Sequence, residues 1–235
     1  MTEDSYRLDD SVRTFLAGFT HDLSNPLTTL LGYSQLLQRA TSLEKSQQYA
    51  ETILAQAKRC QRRIQGLRCY LSLSPPQMKP IALEQVLRVS LDGNKAYCEA
   101  QRIALDAEIS DSAIIIDGDA SLIQSSMDML LENAVVALAT GVESPRITVR
   151  LTCDDDWAFI VVQDNGPGPG VERLDDLFSP EYTTRGTGNG LGLGLPTARS
   201  IAQSHGGSVE CTVDTKPGLC VRMQFPLRQD KASTT

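Results

Sequence analysis

The sequence predicts two folds in one chain. The first is an all-α helical hairpin, which a second copy completes as a dimeric four-helix bundle. The second is an α/β sandwich. Three observations carry this. Apolar residues recur at gaps of three and four through roughly the first seventy positions. Prolines then crowd the chain at Pro75, Pro76 and Pro80. Beyond them, short alternating strands mix with amphipathic helices.

The first helix is expected from Val12 to about Arg39, on the seam Leu16, Phe19, Leu23, Pro26 or Leu27, Leu30 and Leu37. Asp9, Asp10 or Ser11 supplies its cap. Thr41 and Ser42 break the pattern. The second helix runs from about Leu43 to Leu73, with Tyr49, Ile53, Gln56 or Ala57, Cys60, Ile64, Leu67 and Leu71 on one stripe. So short a connection makes the pair antiparallel. Two helices bury their stripes poorly alone, and a homodimer solves that. His21 falls between the seam residues Phe19 and Leu23 and therefore points outward. Pro26 lacks a backbone N–H and should bend the helix just after His21. Asp22 adjoins the imidazole, and Asn25 shares its face at i,i+4. A lone histidine there would be an ordinary surface residue; these neighbours give it the means to exchange a proton or hold a small oxyanion.

The prolines stop the second helix and stiffen the join. The expected domains are 1–74, a linker at 75–80, 81–228, and a disordered tail at 229–235. The linker is a passive boundary or a hinge; both fit. In the second domain, helices are expected at Leu83 to Ala100, Ala120 to Ala139 (capped by Asp119) and Leu191 to His205. Strands are expected at Ile103–Ile109, Ala113–Ile116, Arg146–Cys153, Trp157–Gln163, Ser208–Val213 and Leu219–Phe225.

Composition narrows the function classes. Net charge is −7, which argues against a nucleic-acid partner. No apolar run approaches the ~18 residues that cross a bilayer, so no direct membrane insertion is expected. The polar, acidic start is not a signal peptide, and a cytoplasmic protein is the expectation. The six cysteines show no metal-ligand spacing and are expected to be reduced core thiols.

Eight of the 17 glycines lie between Gly166 and Gly194. One group runs from Asp164 to Gly170, and the other from Gly186 to Gly194, straight into a helix. Glycine lets backbone N–H groups approach an anion, and a helix start favours one. This is the pattern of a phosphate cradle. No Gly-Lys-Ser/Thr follows, so it is not a Walker A loop, and no βαβ unit surrounds it.

Five ordered motifs then resemble a known family over residues 8 to 227. The run His21 to Leu27 (His-Asp-Leu-Ser-Asn-Pro-Leu) is similar to the phosphoacceptor box of bacterial sensor histidine kinases. Leu130 to Ala137 resembles their asparagine box. Asp164 to Gly168 (Asp-Asn-Gly-Pro-Gly) resembles the first glycine box, and Leu177 to Thr184 the phenylalanine box. Gly188 to Gly194, with His205 to Gly207 after it, resembles the second glycine box. The chain thus resembles a transmitter core whose nucleotide domain is of the gyrase, Hsp90 and histidine kinase type. The first two boxes are most similar to those of the nitrogen-regulator-like subgroup.

The resemblance implies roles. His21 would accept the ATP γ-phosphoryl, with Asp22 orienting the ring and acting as base. Asn25 would serve dephosphorylation of the partner, the receiver domain of a response regulator. Asn133 would coordinate Mg²⁺ and Asp164 the adenine amino group, with Gly166 and Gly168 turning the chain under the base. Thr184, Arg185, Gly188, Gly190, Leu191, Gly192 and Leu193 would line the phosphates. His205 is expected to be a structural turn residue and Glu132 a surface charge. Met129 departs from the pattern: a polar residue is usual four positions before Asn133, and its loss weakens metal or water positioning. No sensor domain or membrane anchor is recognisable, so the input is expected from a partner, from residues 1–10, or from a portion beyond this sequence. The alternative function is a histidine phosphotransfer protein or scaffold with a degenerate nucleotide domain.

Overall fold

The computed structural model describes residues 10–71, 75–110, 113–139, 141–170, 173–179, 194–213 and 218–229. Within α1 and α2 some side chains, including those of His21 and Asp22, lie outside the described residues. The chain divides into two compact units.

The first unit holds helix α1 (Asp10–Gln38) and most of α2 (Leu43–Tyr70), up to Gln65. Ser42 starts α2: its Oγ accepts from the Lys45 N–H at 3.4 Å, and its carbonyl accepts from the Ser46 hydroxyl at 2.9 Å. Tyr33 and Tyr49 meet edge to face across the hairpin, with centroids 5.8 Å apart. The expected seam is partly covered. Pro26 and Cys60 are buried and Leu23, Leu30, Leu37, Tyr49 and Ile53 half-buried. Leu27, Leu31, Leu54 and Ile64 remain exposed. Helix α1 runs through Pro26 without interruption.

The second unit is a sheet with helices on one face. Its strands are β2 (Ala104–Ile109), β4 (Arg146–Cys153), β5 (Trp157–Asp164), β6 (Ser208–Thr212) and β7 (Cys220–Pro226), in the order β2-β4-β5-β7-β6. All pairs are antiparallel except β2 with β4. Strict alternation sets the faces. Ile147, Val149 and Leu151 of β4 point inward with Ala158, Ile160 and Val162 of β5. Against them lie α3 (Leu83–Ala100), α4 (Ala120–Leu138) and α5 (Gly194–Ser204). On the other face, Arg146 pairs with Asp106 and Arg150 with Glu108 (2.6 Å), and Arg222 lies over the Phe159 ring. Between α3 and α4, the buried Asp128 carboxylate accepts from Ser90 Oγ at 2.6 Å and Asn94 Nδ2 at 2.8 Å.

A second sheet differs from expectation. Residues Lys79–Ala82 form β1, antiparallel to β3 (Ile115–Gly118), although positions 79 and 80 fall in the expected linker. Strand β3 also begins two residues late, since register is set by pairing Ala82 with Ile115.

Asp119 joins several of these elements. It caps α4, with Oδ1 accepting from the N–H groups of Ser121 and Leu122. Its Oδ2 accepts from the Gln77 N–H at 3.0 Å, and its own N–H donates to His205 Nε2 at 2.9 Å. Burial works to raise its pKa, but the hydrogen bonds from Ser121, Gln77 and Leu122 outweigh it and hold the carboxyl below its ordinary value. His205 is buried, and its Nδ1 donates to the Ile201 carbonyl at 2.7 Å. Burial drives the imidazole pKa down, opposed in part by the Ile201 carbonyl and by Asp119. A neutral ring with both nitrogens engaged is a brace, as expected of a structural turn residue.

Candidate functional site

Asp164 stands where β5 leaves the sheet, and it is 6% exposed. Its Oδ1 accepts from the N–H of Gly166 at 2.8 Å and of Leu219 at 3.3 Å. Its Oδ2 has no partner among the described residues. Burial raises the carboxyl pKa, and the backbone N–H groups of Gly166 and Leu219 offset part of that. A buried carboxylate with one oxygen spoken for and one open suits a ligand that brings an N–H donor. Gly166 is required here, because a Cβ would lie 2.9 Å from Asp164 Oδ1. Gly168 has φ +80°, a left-handed backbone that favours glycine.

Asn133 is half-buried near the C-terminal end of α4 and faces Gly194, the first residue of α5. A Cβ on Gly194 would lie 2.5 Å from Asn133 Nδ2 and 3.2 Å from Oδ1. The missing side chain is therefore what gives the amide its room. No group of three or more His, Cys, Asp or Glu that could hold a metal occurs among the described residues. A hard divalent ion takes oxygen ligands, and an amide oxygen such as that of Asn133 is of the right chemical type. Met129 is half-buried one turn before it.

On α1, Asn25 is exposed beside the buried Pro26. Pro26 leaves the Asp22 carbonyl without its helical N–H. Hydroxyls serve neighbouring carbonyls instead: Ser24 Oγ bonds Thr20 O at 2.7 Å, and Thr28 Oγ1 bonds Ser24 O at 2.8 Å. The backbone of His21 and Asp22 is helical, while their side chains lie outside the described residues. Thr184, Arg185, Gly188, Gly190, Leu191, Gly192 and Leu193 lie outside them altogether.

Sequence reasoning passed over three residues that the fold brings to Asp164. Gly218 and Leu219 arrive from the segment just before β7, and Asn165 ties the turn to β4. Only the glycine after Pro217 and an amide next to a buried aspartate hinted at them.

Two family models match the chain in tandem. The His Kinase A (phospho-acceptor) domain matches residues 11–71, and the Histidine kinase-, DNA gyrase B-, and HSP90-like ATPase matches residues 118–229. The chain is a sensor histidine kinase transmitter core. The core is 30% identical to sensor protein ChvG of Agrobacterium fabrum, over 100% of this chain and 41% of the relative. It is 28% identical to sensor protein CutS of Streptomyces coelicolor, over 97% of this chain and 56% of the relative. The transmitter core thus spans about half the length of the curated relatives it matches. Among solved structures, histidine kinase ThkA in complex with response regulator protein TrrA shares the fold with a TM-score of 0.59. That likeness covers 91% of this chain and 61% of the other at 20% identity. No helix among the described residues is long and apolar enough to cross a membrane.

Proposed function

We propose that this transmitter core uses ATP to phosphorylate His21 and passes the phosphoryl group to an aspartate of a response regulator. The observation that supports this most directly is the Asp164 carboxylate, buried, anchored through one oxygen and open at the other. An adenine amino group supplies the donor such an acceptor lacks. Gly166 and Gly168 then carry the chain beneath the base. Thr184, Arg185, Gly188, Gly190, Leu191, Gly192 and Leu193 are assigned to the phosphates.

Mg²⁺, when bound, neutralises phosphate charge and lines up the transferring group. Asn133 is assigned as its protein ligand. The phosphorus–oxygen bond to the β-phosphate breaks as the His21 nitrogen bonds phosphorus, and Asp22 takes the imidazole proton. Neutral imidazole is available near pH 7. Asn25, exposed and one turn from His21, is assigned to orient the water that dephosphorylates the regulator. A response-regulator receiver domain is the partner in keeping with ThkA, which was solved with TrrA. The exposed leucines at positions 27, 31 and 54 favour a homodimer closing a four-helix bundle.

Finer assignments rest on the motifs. The first two boxes favour the nitrogen-regulator-like subgroup, and the acidic chain favours the cytoplasm. Domain bounds near 74 and 81 follow from the prolines, although β1 takes up residues 79 and 80. The alternative, a phosphotransfer protein or scaffold with a degenerate nucleotide domain, draws on Met129 alone and is disfavoured by the family match over residues 118–229.

The test is incubation with [γ-³²P]ATP and Mg²⁺. Acid-labile, base-stable label is expected, and His21→Gln should abolish it. Label that persists in that variant overturns the site, and absence of ATP binding by calorimetry restores the alternative.

A further inference from the structure

Asp164, the last residue of β5, and Asn165, the next along the chain, anchor the turn in the same way, on opposite sides. The ladder between β4 and β5 ends at the pair Ile147 and Asp164. One step beyond, the Asn165 N–H still donates to the Arg146 carbonyl at 3.2 Å. The return bond is made by a side chain: the Arg146 N–H donates to Asn165 Oδ1 at 2.8 Å. Nδ2 of the same carboxamide donates to the Ser144 carbonyl at 3.1 Å. Ser144 has φ +51°, so this carbonyl is presented by a left-handed turn.

On the other side, the ladder between β5 and β7 ends at Gln163 and Cys220. There the Asp164 N–H donates to the Leu219 carbonyl at 3.1 Å, and the Leu219 N–H returns to Asp164 Oδ1. Gly218 permits this approach: its φ is +122°, and a Cβ would fall 1.9 Å from the Asp164 carbonyl oxygen. Residue 164 is thus held to β7 and residue 165 to β4, each through a side chain that replaces a missing rung.

We infer that Asn165 is a positioning residue for nucleotide binding, its carboxamide locking the turn to Arg146 and Ser144 so that the Asp164 carboxylate is held facing the base. This rests on the reading of Asp164 as the adenine acceptor. The position calls for an amide. The Arg146 N–H needs an acceptor and the Ser144 carbonyl a donor, and one asparagine supplies both. Aspartate keeps the first bond but sets an anionic oxygen against a carbonyl. Alanine keeps neither, and the turn is then free to carry Asp164 away from its Oδ1 donors.

The experiment uses the whole chain, with ATP affinity from calorimetry and KM and kcat from autophosphorylation. Asn165→Ala should weaken ATP about tenfold, the worth of one to two hydrogen bonds. Its kcat at saturating ATP should stay within about twofold. Asn165→Asp should fall between Asn165→Ala and the parent. Asp164→Asn should weaken ATP at least as much as Asn165→Ala, and the double variant should bind no worse than Asp164→Asn alone, since Asn165 acts through that carboxylate. A merely structural role would lower the melting temperature and kcat while leaving KM in place. Unchanged affinity in Asn165→Ala, or losses that multiply in the double variant, overturns the inference. Should Asn165→Ala not fold, Asn165→Asp takes its place in the same cycle. If Asp164→Asn binds ATP as the parent does, it is the adenine site that fails, whatever Asn165 does.

Discussion

Gly194→Ala separates stability from catalysis. Alanine is the better helix former, and the Gly194 backbone is not in the left-handed region, so the chain itself accepts a Cβ. The obstacle is Asn133. A Cβ 2.5 Å from Nδ2 is about 1 Å inside ordinary contact, so the amide must swing away or α5 must shift. A misplacement of about 1 Å at a reacting centre costs up to roughly a hundredfold in rate. The expected result is an autophosphorylation rate lowered about 10- to 100-fold. The melting temperature should be unchanged or slightly higher, and ATP affinity without Mg²⁺ should be close to that of the parent. Initial rates with labelled ATP at saturating Mg²⁺, beside thermal melts, measure both. A parental rate in Gly194→Ala would show that phosphoryl transfer does not need the Asn133 amide in its place beside α5, and would refute the assignment.

Two more outcomes follow from the geometry. Asn25→Ala removes an exposed amide and no packing, so it should spare autophosphorylation while slowing regulator dephosphorylation about tenfold or more; equal loss of both activities would contradict the division of roles. His205 has a folded pKa below its unfolded one, so as the pH falls through about 6.5 the unfolded chain takes up a proton that the folded chain refuses. Stability should therefore decline from that pH downward to the folded pKa. His205→Gln should flatten this slope in urea titrations between pH 8 and pH 5.5, and parallel curves would count against the brace.

The elements most legible in sequence were those with unbroken periodicity. Helix α3 and strand β4 fall where spacing placed them, because Val86, Leu87 and Leu91 keep a helical repeat and Ile147, Val149 and Leu151 keep a strand repeat. Strand β1 was hidden by Pro80, which suits a linker as well as an edge strand, and only pairing with β3 decides between them. Ile114, Ile115 and Ile116 are all apolar, so alternation could not fix where β3 begins. The candidate site was legible as residue types but not as partnerships. Nothing in spacing tells that Gly194 gives Asn133 its room, that Leu219 grips Asp164 across 55 positions, or that His205 meets Asp119 across 86. These are contacts of tertiary closure, and local pattern does not encode them.

The commitments of Asp119 have a mechanical consequence. Both of its carboxylate oxygens are engaged, one by the first turn of α4 and the other by the chain at Gln77. Helix α4 is thereby keyed at its first turn, like a shaft with a pin through one end. Asn133 rides the same shaft fourteen positions further on. With the amide roughly 6 Å off the axis, a roll of only about 20° at the pinned end would sweep it sideways by about 2 Å. That is a distance comparable to a ligand bond, so a joint shared with the segment that leads into β1 helps to set the azimuth of the candidate metal ligand, together with the bonds from Ser90 and Asn94 to Asp128.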